Sequence, residues 1–294
     1  MHTFLVNIGC GATWHPAWTN LDVCPLSPHV QAWDVEKGLP FESGQVDACY
    51  ASHLLEHLTK DQARDLLLEC FRVLRPGGVI RLAVPDLEGI VREYLRVLAL
   101  AESGERAAVE QYEWISLELL DQLVRDRSGG EMERYLRTQA WGNVEYVVAR
   151  IGPEAMTYMG SGRGQDGTSG THESSSDGTV SGRRLLPTIS AKAREIRSVL
   201  SGAGHFGAGM WGRRVNNGDR EAVRVGRFRL SGECHRWMYD RFSLRQLLGQ
   251  SGFADARLCS AFESRINGFA SFGLDAVDGQ VRKPDSLFME AIKP

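Results

Sequence analysis

Hydrophobic residues in this chain come first in short runs and then in helical stripes. Phe4-Leu-Val-Asn-Ile8 leads straight into Gly9 and Gly11, the form of a buried strand that breaks into a tight turn. Thr19–Val23 and Val30–Asp34 read as two further short strands, and Val46–Ala51 as a fourth. Thr59-Lys-Asp-Gln62 is a capping box, in which the threonine and glutamine side chains would satisfy each other's backbone amides. Ala63, Leu66, Leu67, Cys70, Phe71 and Leu74 then recur at helical spacing and give one apolar face. Pro76-Gly77-Gly78 is the expected stop. Val79–Val84 reads as a fifth strand, and Pro85-Asp86 opens a helix with Leu87, Ile90, Val91, Tyr94, Leu95 and Leu98 on one side. Strands alternating with amphipathic helices predict a parallel, doubly wound α/β sheet.

From about residue 101 the alternation stops. Residues 101–150 carry helical patterning only, and residues 160–182 hold thirteen Gly or Ser among 23 positions with Val180 as the one aliphatic residue. Such a composition buries too little apolar area to offset its ordering entropy, which predicts a flexible loop: a lid over a pocket, or a surface insertion. Residues 183–229 hold eleven Lys or Arg against three Asp or Glu. Within them Ser190–Leu200 reads as a helix, and Arg213, Arg214, Arg220, Arg224, Arg227 and Arg229 form either an anion site or a solvated face paired with acids. The sheet pattern returns after His235, with a capping box expected at Ser243–Gln246, a helix stop at Gly252, and closing strands at Ala256–Phe262 and Ser286–Ile292. The expected organisation is a core split into 1–100 and 235–294, with a mainly helical insertion over 101–234.

The six cysteines include no Cys-x-x-Cys pair, so neither a zinc site nor a disulfide framework is suggested, and free thiols point to a reducing compartment. No apolar run approaches the length of a membrane span, and the first residues lack a basic leader followed by an apolar core. The expected location is cytoplasmic. A net charge of −3 leaves the partner open.

Candidate chemistry gathers at the carboxyl ends of the strands, where open α/β sheets bind ligands. Gly9 and Gly11 let a ligand approach the main chain. Asp22 and Asp34 each close a strand; Asp22 could accept hydrogen bonds from both ribose hydroxyls of a nucleoside or be a turn aspartate before Cys24-Pro25, and Asp34 could accept from a purine's exocyclic amine, with Val35 adding a backbone amide. Ser52, His53, Glu56 and His57 follow the fourth strand.

Assembled, Asn7-Ile-Gly-Cys-Gly11, Asp22, Asp34, Leu39-Pro-Phe, Val46–Leu58 with its Leu-Leu-Glu-His-Leu, and Arg72-Val-Leu-Arg-Pro-Gly-Gly78 resemble the class I S-adenosylmethionine-dependent methyltransferases. The match is close over about the first 95 residues. More loosely, His235–Asp240 and the Ser243–Phe253 helix are similar to the closing part of a bacterial subgroup of predicted methyltransferases. The resemblance implies a Rossmann-like sheet of seven strands in the order 3-2-1-4-5-7-6, the last antiparallel, and S-adenosyl-L-methionine as cofactor. Asn7, Gly9, Cys10 and Gly11 would pass under its methionine part, Asp22 would hold the ribose, Asp34 and Val35 the adenine, and Ser52 and His53 would lie near the sulfonium. Asn7 stands where many members carry an acid, so it lacks a counter-charge for the cofactor's ammonium.

In-line methyl transfer needs mainly alignment, and a hydroxyl acceptor also needs a base, for which histidine is suited. His53, His57, His235 and Tyr239 are the candidates, with Tyr94 and Trp237 as floor residues of an acceptor pocket. No metal is expected. The leading expectation is O-methylation of a small polar metabolite, sugar or glycan. The alternatives are a non-methylating use of the cofactor (aminopropyl-type transfer or cyclisation) and methylation of RNA through the arginine-rich stretch, nucleic acid being the less favoured partner. Apolar positions in 101–150 leave room for a homodimer interface.

Overall fold

The computed structural model describes residues 3–138, 142–160 and 217–294. Of the glycine- and serine-rich loop expected over 160–182 all but Gly160, which ends a helix, lies outside the described residues, as do the Ser190–Leu200 helix, Arg213 and Arg214.

Strands β1 (Leu5–Ile8), β2 (Thr19–Asp22), β3 (Val30–Ala32), β4 (Val46–Ser52) and β5 (Leu74–Pro85) come first, then β6 (Ala254–Cys259), β7 (Ala276–Val277), β8 (Gln280–Val281) and β9 (Ser286–Ile292). Seven of them form one sheet in the order β3-β2-β1-β4-β5-β9-β6, and β7 and β8 pair as a separate hairpin. The first five are mutually parallel, whereas β9 runs antiparallel to β5 and β6. This is the order the resemblance implies, counting only strands of the main sheet. The fold is a doubly wound, Rossmann-like α/β sheet.

The period-2 alternation of strands sends neighbouring residues to opposite faces. On β4, Cys49 and Ala51 join the core beneath helix α1 (Lys60–Val73), while Ala48 and Tyr50 join Trp18, Ile266, Phe269 and Leu274 on the other side. Helix α1 starts with the expected box: Thr59 Oγ1 accepts from the Gln62 amide and Gln62 Oε1 accepts from the Thr59 amide. It ends at Val73, and β5 begins at once at Leu74, so Pro76-Gly77-Gly78 belongs to the start of the strand rather than to a loop.

Helix α2 (Leu87–Glu102) leads into α3 (Arg106–Val124), α4 (Gly130–Thr138), α5 (Val144–Ile151) and α6 (Ala155–Gly160). Trp114, Tyr135, Leu136, Val147 and Met159 form one apolar cluster there, and Ile90, Val97, Ile115 and Met238 form another. Met238 ties the helices to the returning chain. Helix α7 (Asn217–Arg229) and helix α8 (Arg241–Gln250) follow. The cap of α8 corrects the expectation: Asp240, not Ser243, is the N-cap, and Ser243 is the third residue that answers it. An aspartate accepts two amides, from Phe242 and Ser243, and so begins the helix one turn early. Strand β6 likewise starts and ends earlier than expected, at Ala254 and Cys259.

Candidate active site

The first turn of the site is built by residues that hold one another in place. Gly9 and Gly11 adopt φ of 64° and 54°, the left-handed region that a side chain disfavours. A Cβ on Gly9 would meet Leu54 Cδ1 at 2.8 Å, whereas one on Gly11 would meet nothing within 4 Å. Gly11 therefore has open space on the side where a ligand would lie. Asp22, at the end of β2, accepts from the Gly11 amide at 2.8 Å and from the Cys24 amide at 2.9 Å. The Cys10 amide donates to the Leu21 carbonyl at 3.1 Å, and the Cys10 thiol faces the Gly11 carbonyl. The buried carboxylate thus shapes the glycine turn.

Asn7 is buried in β1 and donates from Nδ2 to the Thr13 carbonyl at 3.0 Å and to Asn20 Oδ1 at 3.1 Å. Asn20 Nδ2 faces three carbonyls, those of His15, Trp18 and His29. That arrangement fixes which way the Asn20 amide points and requires a donor from residue 7. Asp34 lies just beyond β3, where it caps a short helical turn, Val35–Lys37: its Oδ1 accepts from the Glu36 amide at 3.1 Å and its Oδ2 lies 3.6 Å from Lys37 Nζ. Val35, Glu36, Gly38, Leu58, Gln62, Asp65 and Leu66 line a hollow next to it.

At the end of β4 the chain turns sharply. His53 has φ of 50°, and its amide donates to the Ala83 carbonyl of β5 at 2.9 Å. This strained position at a strand's carboxyl end aims the imidazole between two partners. Nε2 is 2.8 Å from Ser286 Oγ, and Nδ1 is 3.1 Å from Glu56 Oε1. Burial holds His53 well below the ordinary histidine pKa, with Lys283 adding to the effect, so the ring is neutral at pH 7. Ser52, half-buried beside it, closes β4.

His57 and His235 meet edge to face, with ring centroids 4.9 Å apart. The backbone joins the same two segments, because the Arg236 amide donates to the Glu56 carbonyl at 2.6 Å, and the His235 amide ties the second of them to α3 through the Gln122 carbonyl at 3.0 Å. Burial pushes His235 down to about 3, against the attraction of the Glu56 carboxylate. Tyr239 is pushed up to about 12 by burial, with Glu56 adding to it, and its buried hydroxyl has no hydrogen-bond partner. All four residues expected to carry chemistry, His53, His57, His235 and Tyr239, therefore surround or adjoin one fully buried carboxylate, Glu56. The floor candidates differ. Tyr94 packs against Tyr112 on the helices, with ring centroids 5.7 Å apart, and Trp237 is 41% exposed beneath the Lys60 ammonium. The arginines within α7 are exposed. Arg224 pairs with Glu221 and Asp126, and Arg229 donates to the Leu123 and Val124 carbonyls that end α3.

Sequence reasoning passed over Ser286 and the central part of Glu56. Ser286 reaches His53 only because β9 inserts antiparallel beside β5, opposite Pro85. A 233-residue separation leaves no local signal of that pairing.

Residues 7–82 match the family model described as "Methyltransferase domain". No curated protein matches the chain. Among solved structures it is similar to a methyltransferase in complex with the Haloferax volcanii Trm112 methyltransferase activator, at 20% identity over 31% of this chain and 48% of that one, TM-score 0.25. It is also similar to an S-adenosylmethionine-dependent methyltransferase from Thermotoga maritima, at 9% identity over 99% and 82%, TM-score 0.37. A third is the N-methyltransferase NodS from Bradyrhizobium japonicum, with S-adenosylhomocysteine bound, at 20% over 31% and 56%, TM-score 0.26. The chain thus covers less than two thirds of the first and third of these proteins. The family-model match thus covers residues 7–82, about a quarter of the chain, and the sheet built on them has the strand order that the resemblance to the class I, S-adenosylmethionine-dependent methyltransferases implies.

Proposed function

We propose that this chain is an S-adenosylmethionine-dependent methyltransferase acting on a hydroxyl of a small polar molecule, a metabolite, sugar or glycan. The observation that carries the chemistry is the Ser286–His53–Glu56 chain at the carboxyl end of β4. The residues fit the cofactor: Gly11 presents backbone with no described atom within 4 Å of where its Cβ would stand, and the Asp22 carboxylate sits beside it on the Gly11 amide. Val35 lines a hollow beside Asp34, which this reading assigns to the adenine ring. When bound, the cofactor supplies an electrophilic methyl group on a sulfonium.

The chain's own residues supply the rest. Asn7, Gly9, Cys10 and Gly11 hold the turn under the methionine part, Asp22 accepts from the ribose hydroxyls, and Asp34 with Val35 frames the base. His53 is neutral and carries a carboxylate at Nδ1, which sets the tautomer that leaves Nε2 as proton acceptor. An acceptor hydroxyl that displaces Ser286 from Nε2 passes its proton to His53 as it attacks. His53→Ala is expected to bind S-adenosylhomocysteine as the native protein does while losing at least a hundredfold in its release from S-adenosylmethionine across a panel of hydroxylated small molecules. Equal turnover in the variant would overturn the role of His53.

A further inference from the structure

Glu56 is an anomaly as protein alone. Its side chain is completely buried, and among the described residues neither carboxylate oxygen accepts a well-aligned hydrogen bond, the His53 Nδ1 contact at 3.1 Å being off the line a hydrogen bond needs. A buried carboxylate without donors is costly unless a cation or a set of hydrogen bonds compensates it. The neighbours are metal-ligand types rather than Lys or Arg. A carboxylate oxygen of Glu56 and one ring nitrogen each of His57 and His235 lie within 4.8 Å of one another. Ligands on one zinc ion, at bonds near 2.0–2.1 Å, stand roughly 3.4 Å apart, so side-chain closure of at most about 1.4 Å brings all three into contact with a single ion. The backbone is already braced for this, because the Glu56 carbonyl takes the Arg236 amide and, at 3.3 Å, the Trp237 amide. His53 Nδ1, 3.1 Å from the same carboxylate, can support it from outside the ligand set.

We propose that Glu56, His57 and His235 bind one divalent transition-metal ion of the zinc class. Two imidazoles and one carboxylate are a borderline-soft donor set that suits zinc, cobalt or nickel better than magnesium or calcium. Three protein ligands leave a fourth tetrahedral position for water or an acceptor heteroatom, the pattern of an open rather than a closed site. The site joins the segment after β4 to the segment before α8, so the ion would also clasp the chain returning from the insertion onto the core.

The test uses the untagged full chain, stripped with a chelator and titrated with cobalt(II) alone, without cofactor, so its outcome is independent of methyl transfer. The expected result is one equivalent bound with the intense visible absorption of a four-coordinate site, displaced by zinc. Glu56→Gln and His235→Ala should each weaken cobalt binding at least tenfold while keeping the near-ultraviolet dichroism of the native chain. Where a variant does not fold, zinc-edge absorption on the native protein decides: two imidazoles with one carboxylate support the site, and any other ligand shell overturns it. No stoichiometric cobalt binding, or binding unchanged in both folded variants, would show that the cluster is a metal-free structural knot.

Discussion

Asn7 stands where a carboxylate would give the cofactor's ammonium a counter-charge, and its neighbours explain the amide. Both of its Nδ2 contacts are acceptors, the Thr13 carbonyl and Asn20 Oδ1, and Asn20 is turned that way by three carbonyls of its own. A carboxylate at residue 7 would face two acceptors in a buried place. Asn7→Asp is therefore expected to destabilise the fold by about 1–3 kcal/mol, read as a lower urea midpoint at unchanged slope. A variant as stable as the native chain would contradict the assignment of these two bonds. Similar reasoning applies to Asp22, whose two oxygens are committed to the Gly11 and Cys24 amides; its place in the sequence marked it as a ligand residue, but its first task is to shape the turn.

At the scale of elements, strand β5 carries the least expected feature, a fully buried arginine. Arg81 pairs with Asp275 and Glu290 at 2.8 Å each and donates to the Ser260 and Glu263 carbonyls. One guanidinium thus fastens the segment between β6 and β7 onto the sheet, with Phe269 stacked 4.3 Å from it. Removing one partner of such a network strands the others without a counter-charge. Arg81→Ala is expected to cost about 3–5 kcal/mol and to speed amide exchange selectively around residues 260–275. Uniform exchange across the chain would mean that this segment is held by its apolar contacts alone. The sequence told much about the elements whose information is local: the first four parallel strands, the α1 capping box and the β9 span lie where their periodicity puts them, whereas β5 begins five residues before its expected start. The Asp240 cap was missed because an aspartate competes with the Ser243 pattern three residues on, and Arg81 because its partners lie 194 and 209 residues away.

Across the whole molecule, the place where the helical insertion meets the sheet carries a titratable group that makes stability depend on pH. Burial raises the Asp285 carboxyl from 3.8 to about 7, with the nearby Glu118 adding to the rise. The folded state therefore keeps a proton that the unfolded chain gives up. This contribution is complete below about pH 4 and is lost as pH rises through 7. Asp285→Asn should match the native protein's thermal midpoint near pH 4 and exceed it increasingly up to pH 8; a gap that narrows with rising pH would contradict the sign. The site itself was half legible from residue order. Gly9, Gly11, Asp22 and His53 announce themselves by following strands, but the junction of His53 with Ser286, and of Glu56 and His57 with His235, arises only when distant segments close on the sheet edge. The central claim is that this edge binds S-adenosylmethionine, and calorimetric titration with S-adenosylhomocysteine tests it most directly. The account predicts one-to-one micromolar binding that weakens at least tenfold in Asp22→Asn; absence of binding to the native chain would contradict it.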